Sequence, residues 1–303
     1  MQDAHFPGCT SITLPSSSLP SFRARLTGAG PMSAMSFNKF ITYSNQTQLH
    51  GTPAEQQEQF DRAFEQGQYA GLCRGVFDSH AAAAAAAPSS LPLGYDHEQA
   101  ASMYRDRIRK IFPADYPMIY WLGRAFAGGA RQVFDLGGHV GVSYYAYQRY
   151  LRYPEGLRWQ VNDVPAVNTL GGELSGMLDK LGAISFVDAF DEAAQADILF
   201  SSGCLQYLEQ TLAQKLAALP NRPKWLLLNL LPLHETAAFW TVQNIETAFC
   251  PYRIQQKQAF FDALHELGYR TLDTWENPEK HCEVAFDPEH SLDRYFGAAL
   301  RLG

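Results

Sequence analysis

The sequence predicts an α/β fold in which helices cover both faces of a mostly parallel, doubly wound sheet. Three observations favour it. A short apolar run at residues 131–141 (R-Q-V-F-D-L-G-G-H-V-G) ends in an acid and a glycine-rich turn. Strand-like and helix-like runs then alternate, as successive βαβ units require. The most apolar run, at residues 224–231, is typical of a central strand that is covered on both faces.

The glycine-rich turn contains Gly137, Gly138 and Gly141. Glycine allows positive φ and lets a ligand approach main-chain N–H groups without a Cβ in the way. A helix predicted to begin at Val142 would direct its N-terminus at that ligand. Because an ordinary tight turn can have the same composition, a second signal is needed.

The second signal is a strand-like run at residues 158–163, which also ends in an acid, Asp163, about twenty residues after the turn. An acid at that point holds ribose hydroxyls in nucleoside-binding sheets. Both NAD(P) and S-adenosylmethionine are bound in this way. A dinucleotide site needs a neutral residue at the position of Asp135, whereas a carboxylate suits the ammonium group of S-adenosylmethionine. The pattern therefore favours S-adenosylmethionine and disfavours an NAD-dependent dehydrogenase.

Composition narrows the class of protein. The chain has 303 residues and 46% hydrophobic content, enough for a sizeable core. Its net charge of −7, without a basic cluster, argues against nucleic acid as a partner and for a small-molecule substrate. The five cysteines lack C-x-x-C spacing, so we expect reduced thiols in a cytoplasmic protein and no metal site. No apolar run reaches the roughly 20 residues of a membrane span. The oligomeric state stays open.

Three regions are predicted along the chain. Residues 1–35, rich in Ser, Pro and Gly, are expected to be a disordered extension. Residues 36–128 are expected to form a helical cap or lid, and residues 129–303 the cofactor-binding domain. The predicted cap helices span residues 52–65, 81–87, 96–112 and 117–126.

The core is predicted to contain seven strands. Five parallel strands are expected at residues 131–135, 159–163, 184–187, 196–200 and 224–231. Helices are expected from residue 142 and at residues 164–181, 208–219 and 254–267. The last two strands, at residues 269–275 and 283–287, are joined by a short polar loop and should form an antiparallel hairpin.

Several motifs carry a resemblance to a known family. They are V-F-D-L-G-G-H-V-G-V-S-Y-Y at 133–145, D-I-L-F-S-S-G-C-L-Q-Y-L at 197–208, T-V-Q at 241–243, L-G-Y at 267–269 and L-G-Y-D at 93–96. With the terminal hairpin, the chain resembles the Rossmann-like class I S-adenosylmethionine-dependent methyltransferase fold. Within it, residues 75–286 resemble proteins assigned as methyltransferases in bacterial biosynthetic clusters. Some relatives of these proteins are azetidine-2-carboxylate synthases.

The resemblance implies a cofactor site. Asp135 and Gly137 would contact the methionine moiety, and Asp163 the ribose. Asp188 and Ala189 would meet the adenine edge, and the sulfonium pocket would be lined by Ser201, Ser202 and Gly203. Gly138 and Gly141 complete the turn, but His139 stands where the family pattern has its middle glycine. His139 could bind the cofactor carboxylate or face solvent.

Catalytic candidates follow from the sulfonium, a strong electrophile. Tyr144, Tyr145 and Tyr207 are predicted to shield it, because a desolvated cation over an aromatic face gains up to about 2 kcal/mol. A competing interpretation gives Tyr144 and Tyr147 to the core, since they share a helical face. His234, after the fifth strand, is the candidate general base, although lone histidines are more often structural.

Three functions remain open at this stage. The first is methyl transfer from S-adenosylmethionine to a small metabolite in secondary metabolism. In the second, the cofactor's own amine closes an azetidine-2-carboxylate ring and releases methylthioadenosine. The third is a non-catalytic protein that binds the cofactor without turnover.

Overall fold

The fold is built around a seven-stranded sheet, seen in a computed structural model that describes residues 49–96 and 105–303. The predicted extension at residues 1–35 lies outside the described residues, as does part of the predicted helix at 96–112. Among the described residues, no helix is both long and apolar enough to cross a membrane. That part of the chain also holds no cluster of three or more His, Cys, Asp or Glu suited to a metal ion.

The large sheet has the strand order β10-β11-β6-β5-β2-β3-β4. Its strands are β2 (Gln132–Leu136), β3 (Arg158–Asn162), β4 (Ile184–Val187), β5 (Ile198–Ser202), β6 (Trp225–Leu231), β10 (Tyr269–Asn277) and β11 (Tyr295–Leu302). β2 to β6 pair in parallel, whereas β11 runs antiparallel to both of its neighbours. This strand order confirms the predicted fold class.

The described residues form α-helices as well as strands. These helices are α1 (Pro53–Glu65), α2 (His80–Ala86), α3 (Tyr116–Ala127), α4 (Val142–Tyr147), α5 (Pro165–Leu178), α6 (Leu212–Ala217) and α7 (Lys257–Glu266). The buried residues of α1 and α2 belong to an apolar cluster apart from the large sheet. β6 is apolar throughout because Leu226, Leu227 and Leu228 are all inaccessible to solvent. Successive side chains of a strand point to opposite faces, so these residues belong to cores on both sides of the sheet.

The terminal hairpin is present, but its second strand was assigned to the wrong residues. The hairpin partner of β10 is β11, and not residues 283–287. Val284 is buried beside Cys73 in a separate apolar cluster, and Ala285 N–H donates to the Cys73 carbonyl. The alternation of apolar residues at 283–287 therefore reflects packing against the N-terminal part of the chain and not a place in the large sheet.

A second sheet of four strands was not predicted from the sequence. It has the order β1-β8-β9-β7 and consists of β1 (Cys73–Phe77), β7 (Leu233–His234), β8 (Phe239–Asn244) and β9 (Phe249–Gln256). Because β1 belongs to this sheet, the region 36–128 is not purely helical. The helix expected from residue 254 begins at Lys257 instead, since Ile254 is the buried interior residue of a strand.

Three of the four helices predicted for the N-terminal region are present as α-helices. Thr52 caps α1 in a capping box with Glu55, and Phe60 and Phe64 are its buried face. α2 ends shortly before Pro88, as expected. Of the helix predicted at 96–112, the described part is a 3-10 turn at Arg105–Arg109. The role of this region as a lid remains a prediction.

Candidate functional site

A cavity of about 590 Å³ lies at the carboxyl ends of the parallel strands. Its wall includes Gly137 after β2 and Gly203 after β5. β2 pairs with β3 on one side and with β5 on the other, so the strand order of the sheet reverses at β2, where the cavity lies. Ligands of doubly wound sheets bind at that point, and the volume lies within the roughly 300–1,000 Å³ of small-molecule sites.

The glycine-rich turn brings the main chain close to its neighbours. A Cβ on Gly137, whose φ is 72°, would lie 2.2 Å from the Cβ of Cys204. A Cβ on Gly138 would lie 2.4 Å from a carboxylate oxygen of Asp135. The third glycine of the turn, Gly141, is not in the cavity wall and packs against Ile184. The turn is therefore open toward the cavity at Gly137 and Gly138.

Asp135 is the buried acid beneath this turn. Its side chain is 1% exposed, and Trp159 Nε1 donates to its Oδ2 at 2.9 Å. The pKa of Asp135 is raised to about 7, mainly by burial, with the Trp159 hydrogen bond opposing the shift and the Asp163 carboxylate adding to it. A cation bound next to Asp135 would favour its ionised form.

Asp163 connects the end of β3 to the glycine turn. Its Oδ2 accepts the His139 N–H at 2.9 Å, and its Oδ1 accepts the Val164 N–H at 2.8 Å. Burial raises the pKa of Asp163, while the two N–H groups and the nearby His139 oppose that shift. His139 lies in the cavity wall with φ 53°, so the structure shows how the turn accommodates a residue other than glycine.

Asp188, at the end of β4, completes a row of three carboxylates in the cavity wall, which we call the acidic wall (Asp135, Asp163, Asp188). Asn168 Nδ2 donates to Asp188 Oδ1 at 2.8 Å. Ala189, the next residue, does not line the cavity, although the resemblance implied that it would.

The segment after β5 divides into lining and structural residues. Ser202, Gly203 and Tyr207 line the cavity. Ser201 does not, because it is fully buried and its Oγ donates to the Leu136 carbonyl at 2.9 Å, which joins β5 to β2. Tyr207 Oη donates to Gln243 Oε1 at 2.7 Å, so the second sheet orients the Tyr207 ring.

The structure contradicts the placement of Tyr144 and Tyr145 beside the sulfonium. Neither belongs to the cavity wall. Tyr144 is fully buried, donates to Asp179 Oδ1 at 2.7 Å and packs against Trp159. The competing interpretation gave Tyr144 and Tyr147 to the core, and both are buried in one apolar cluster, although Tyr147 also borders the cavity.

His234 also lies outside the cavity wall, which contradicts its assignment as general base. Its Nδ1 accepts the N–H groups of Thr236 and Ala237 at 3.1 Å and 2.9 Å. Its Nε2 lies 3.0 Å from the Glu289 carbonyl, so this nitrogen carries the proton. With both ring nitrogens engaged, His234 stabilises the loop after β7.

Sequence reasoning missed three cations of the cavity wall, which we call the basic wall (Arg107, Lys110, Lys280). Arg107 and Lys110 belong to a short segment before α3, and Lys280 to the loop between β10 and β11. No local motif marks these residues, because each is a single charge in an irregular segment.

One acid, Asp115, accompanies the basic wall. Its Oδ1 accepts the Tyr147 hydroxyl at 2.8 Å, and its Oδ2 accepts the Phe112 N–H at 2.8 Å. Burial raises the pKa of Asp115, while the Phe112 and Tyr147 hydrogen bonds and the Arg107 charge oppose the shift.

Cys250 lines the cavity as a protonated thiol, since burial raises its pKa to about 12.

Comparisons with known proteins give limited information. No protein-family model matches the chain, and no curated protein matches it. Among solved structures, the chain is similar to the 1,6-didemethyltoxoflavin-N1-methyltransferase of Burkholderia thailandensis, crystallised with S-adenosylhomocysteine, at 19% identity over 71% of this chain and 94% of that one, with a TM-score of 0.43.

Two further solved structures are similar at the same level. One is a SAM-dependent methyltransferase from Aquifex aeolicus, at 13% identity over 64% of this chain and 100% of that one, with a TM-score of 0.39. The other is an O-methyltransferase family protein from Burkholderia thailandensis, at 15% identity over 69% and 62%, with a TM-score of 0.41. Because these identities and TM-scores are low, the fold assignment rests on the strand order of the large sheet.

Proposed function

We propose that this protein binds S-adenosylmethionine in the cavity and transfers its methyl group to a small molecule. The observation that carries the proposal is the acidic wall, in which Asp135 lies near the carboxyl end of β2 and Asp163 and Asp188 directly follow the adjacent parallel strands β3 and β4. The site lies in a sheet whose antiparallel strand β11 gives it the topology that the sequence resemblance implied.

The residues present fit this cofactor. Asp135 offers a buried carboxylate whose raised pKa would fall on contact with an ammonium group. Each carboxylate oxygen of Asp163 accepts one hydrogen bond from a main-chain N–H. The remaining lone pairs can accept hydrogen bonds from ribose hydroxyls. Asp188 lies at the end of the next strand, where it would meet the adenine of the cofactor. Side chains at Gly137 or Gly138 would occupy the space that the turn needs.

When bound, S-adenosylmethionine supplies an electrophilic methyl group. The protein has to orient a nucleophile toward that group and exclude water. Tyr147 and Tyr207 both line the cavity. The Tyr147 hydroxyl donates a hydrogen bond to Asp115, and the Tyr207 hydroxyl donates one to Gln243. Asp115 is our candidate for accepting a proton from the nucleophile, because burial raises its pKa and so makes its carboxylate a better base.

The cyclisation hypothesis is not carried forward. It relied on Tyr144, Tyr145 and Tyr207 to shield the sulfonium in a closed pocket, and of these three only Tyr207 lines the cavity. A secondary-metabolite acceptor is part of our proposal.

Calorimetric titration with S-adenosylhomocysteine tests cofactor binding. The wild type should bind, Asp163→Ala should bind at least tenfold more weakly, and Asp262→Asn, a change at an exposed acid on α7, should match the wild type. Absence of binding by the wild type would overturn the proposal.

Mass spectrometry of the wild type with S-adenosylmethionine and candidate acceptors tests the reaction. S-adenosylhomocysteine together with a product heavier by one methylene unit supports methyl transfer. Methylthioadenosine would restore cyclisation, and tight binding with neither product over hours would indicate a non-catalytic binding protein.

A further inference from the structure

We infer that Asn229 is a positioning residue for the reaction, because its side chain anchors the 3-10 turn Pro113–Asp115 and so places the Asp115 carboxylate in the cavity wall. The inference rests on the proposed function, in which Asp115 accepts a proton from the nucleophile. Asn229 does not itself line the cavity, so it acts through the turn.

Asn229 is the one polar residue of β6, whose sequence is W-L-L-L-N-L-L. Its side chain is 1% exposed, in the strand that the sequence marks as the most apolar of the sheet. Burying an amide costs free energy unless each of its polar atoms finds a hydrogen-bond partner, whereas a leucine at this position would cost nothing of the kind. The partners of Asn229 therefore indicate what the amide does.

The Asn229 amide connects the turn to the far edge of the large sheet. Its Nδ2 donates to the Ala114 carbonyl at 2.9 Å and lies 3.5 Å from Ser202 Oγ. Its Oδ1 accepts Trp275 Nε1 and Asn277 Nδ2, both at 3.0 Å. Because two donors of β10 meet the oxygen, the nitrogen has to face the Ala114 carbonyl, and the amide is held in one orientation.

A glycine of β11 lets Trp275 reach Asn229. β11 lies between β10 and β6, and Gly297 is the register partner of Trp275. A Cβ on Gly297 would lie 2.1 Å from Cε2 of the indole and 2.2 Å from its Nε1. The indole therefore crosses β11 where a side chain is missing and donates to a strand that is not its neighbour. Gly297 has no positive φ, so the space alone calls for glycine.

The anchored turn carries the candidate base. Asp115 follows Ala114 in the turn that leads into α3, and its carboxylate lines the cavity. That carboxylate accepts a main-chain N–H and the Tyr147 hydroxyl. The bond from Asn229 to Ala114 joins this irregular segment to a strand of the sheet. Asp115 thus takes its position from the sheet, although it does not belong to a strand.

A network of this kind improves precision more than stability. A buried hydrogen bond adds little net free energy to folding, and apolar side chains often replace buried polar groups without loss. A reacting group on an irregular segment, by contrast, needs hydrogen-bonded neighbours that hold it within a fraction of an ångström of its working position. Asn229, Trp275 and Gly297 provide such neighbours for the turn.

The test measures the pKa of Asp115 in the full chain without any ligand. NMR follows the labelled carboxyl carbons of the aspartates as pH changes, and the Asp115 signal is identified by its absence in Asp115→Asn. Burial raises the pKa of this carboxyl in the wild type, against the opposing effects of Tyr147 and Arg107. Asn229→Leu frees the turn and gives Asp115 more solvent, so we expect its pKa to fall by about one unit or more.

Two further variants weaken the same network from β10 and β11. Trp275→Phe removes one donor to Asn229, and Gly297→Ala pushes the indole away, so both should lower the pKa of Asp115 by less than Asn229→Leu does. The matched control is Asn244→Leu. Asn244 is an equally buried amide of the second sheet that donates to two main-chain carbonyls. Its replacement should lower thermal stability and leave the pKa of Asp115 unchanged.

Two results would overturn the inference. One is an unchanged pKa of Asp115 in Asn229→Leu when its thermal melt shows a folded protein. The other is an equal shift in Asn244→Leu, since the shift would then follow from lost stability in general. If Asn229→Leu does not fold, Trp275→Phe and Gly297→Ala decide the matter by the same criterion.

Failure of the proposed function would look different. A wild type that does not bind S-adenosylhomocysteine would contradict that function, while the NMR titration would still show whether Asn229 sets the position of Asp115. Where methyl transfer is observed, Asn229→Leu should lower kcat about tenfold and leave KM for S-adenosylmethionine unchanged. An unchanged kcat would restrict Asn229 to a structural role and reject the inference.

Discussion

The acidic and basic walls of the cavity hold their charges by different means. Each acid lies at or just after the carboxyl end of a parallel strand. Asp135 accepts a hydrogen bond from Trp159, and Asp163 accepts two from main-chain N–H groups. The cations come instead from an irregular segment before α3 and from the loop after β10. Groups held by the sheet are tied to the fold, whereas groups held by loops can change without altering it. We therefore expect the acidic wall, which is tied to the fold, to serve the cofactor.

The largest effect should come from removing the buried charge of the acidic wall. Asp135→Asn can still accept the Trp159 hydrogen bond, but it cannot pair with an ammonium group. We expect S-adenosylhomocysteine affinity to fall at least a hundredfold, because a buried charge pair is lost, and calorimetry would measure this. Unchanged affinity would remove Asp135 from the cofactor site and with it the proposed division between the walls.

The same substitution should stabilise the ligand-free protein at high pH. The folded-state pKa of Asp135 is about 7, well above its value in the unfolded chain, so folding favours the protonated acid. Its contribution to stability is fully present below about pH 4 and is lost as pH rises through 7. At pH 8 we expect Asp135→Asn to be more stable than wild type by on the order of 2–4 kcal/mol.

Thermal melts at two pH values provide the control for that prediction. At pH 5 the wild-type acid is protonated, so most of the gain from Asp135→Asn should disappear. An equal gain at pH 5 and pH 8 would mean that the titration of Asp135 is not its cause.

The glycine turn between the walls should tolerate little change. Gly137→Ala places a Cβ within 2.2 Å of Cys204 at a φ of 72°, so we expect a loss of roughly 2–4 kcal/mol of stability. Gly172→Ala is the matched control, because it lies in α5 with no atom within 4 Å of the new Cβ. The control should be neutral or slightly stabilising in denaturant unfolding. Similar stability of both variants would contradict the close approach at the turn.

A change of pH should test the role of Asp135 in cofactor binding without a mutation. The ammonium group of S-adenosylhomocysteine requires ionised Asp135, so its affinity should be about tenfold weaker at pH 6 than at pH 8. Methylthioadenosine lacks the amino-acid half and should show no such dependence. If the affinities of both ligands change equally with pH, a group of the site other than Asp135 is the one that titrates.

The smallest effect on binding should come from residues outside both walls. Tyr144→Phe removes the hydrogen bond to Asp179, and we expect a loss of about 1 kcal/mol in stability with cofactor affinity unchanged within twofold. His234→Ala should likewise leave affinity unchanged, because that histidine bonds only to its own loop and to Glu289. A tenfold loss of affinity in Tyr144→Phe would return that residue to the site.

The division between the walls also explains what the sequence could and could not predict. Strands β2 to β6 and the acids that follow them are visible because apolar runs, glycines and acids occur at fixed spacing. The second sheet was missed because β8 and β9 are joined by a tight turn at Glu246, and Pro251 interrupts the apolar pattern of β9. Arg107 and Lys280 were missed because their proximity is created only by long-range packing.

Tyr144 illustrates a second source of error. The residues of α4 were assigned to the cavity because the helix follows the glycine turn, but a six-residue helix directs only one side at the ligand. That side carries Tyr147, while Tyr144 packs into the aromatic core around Trp159. Sequence position located the helix, and only the packing determined its rotation.

The place of β11 between β6 and β10 sets an order of assembly. During synthesis on the ribosome, β6 and β10 are complete before β11 emerges, and each then has an open edge that nothing in the finished sheet covers but β11. Unpaired edges attract the strands of other chains. Until Tyr295–Leu302 inserts, the nascent protein is therefore at its most aggregation-prone, and a chaperone that shields strand edges would raise its yield at this stage.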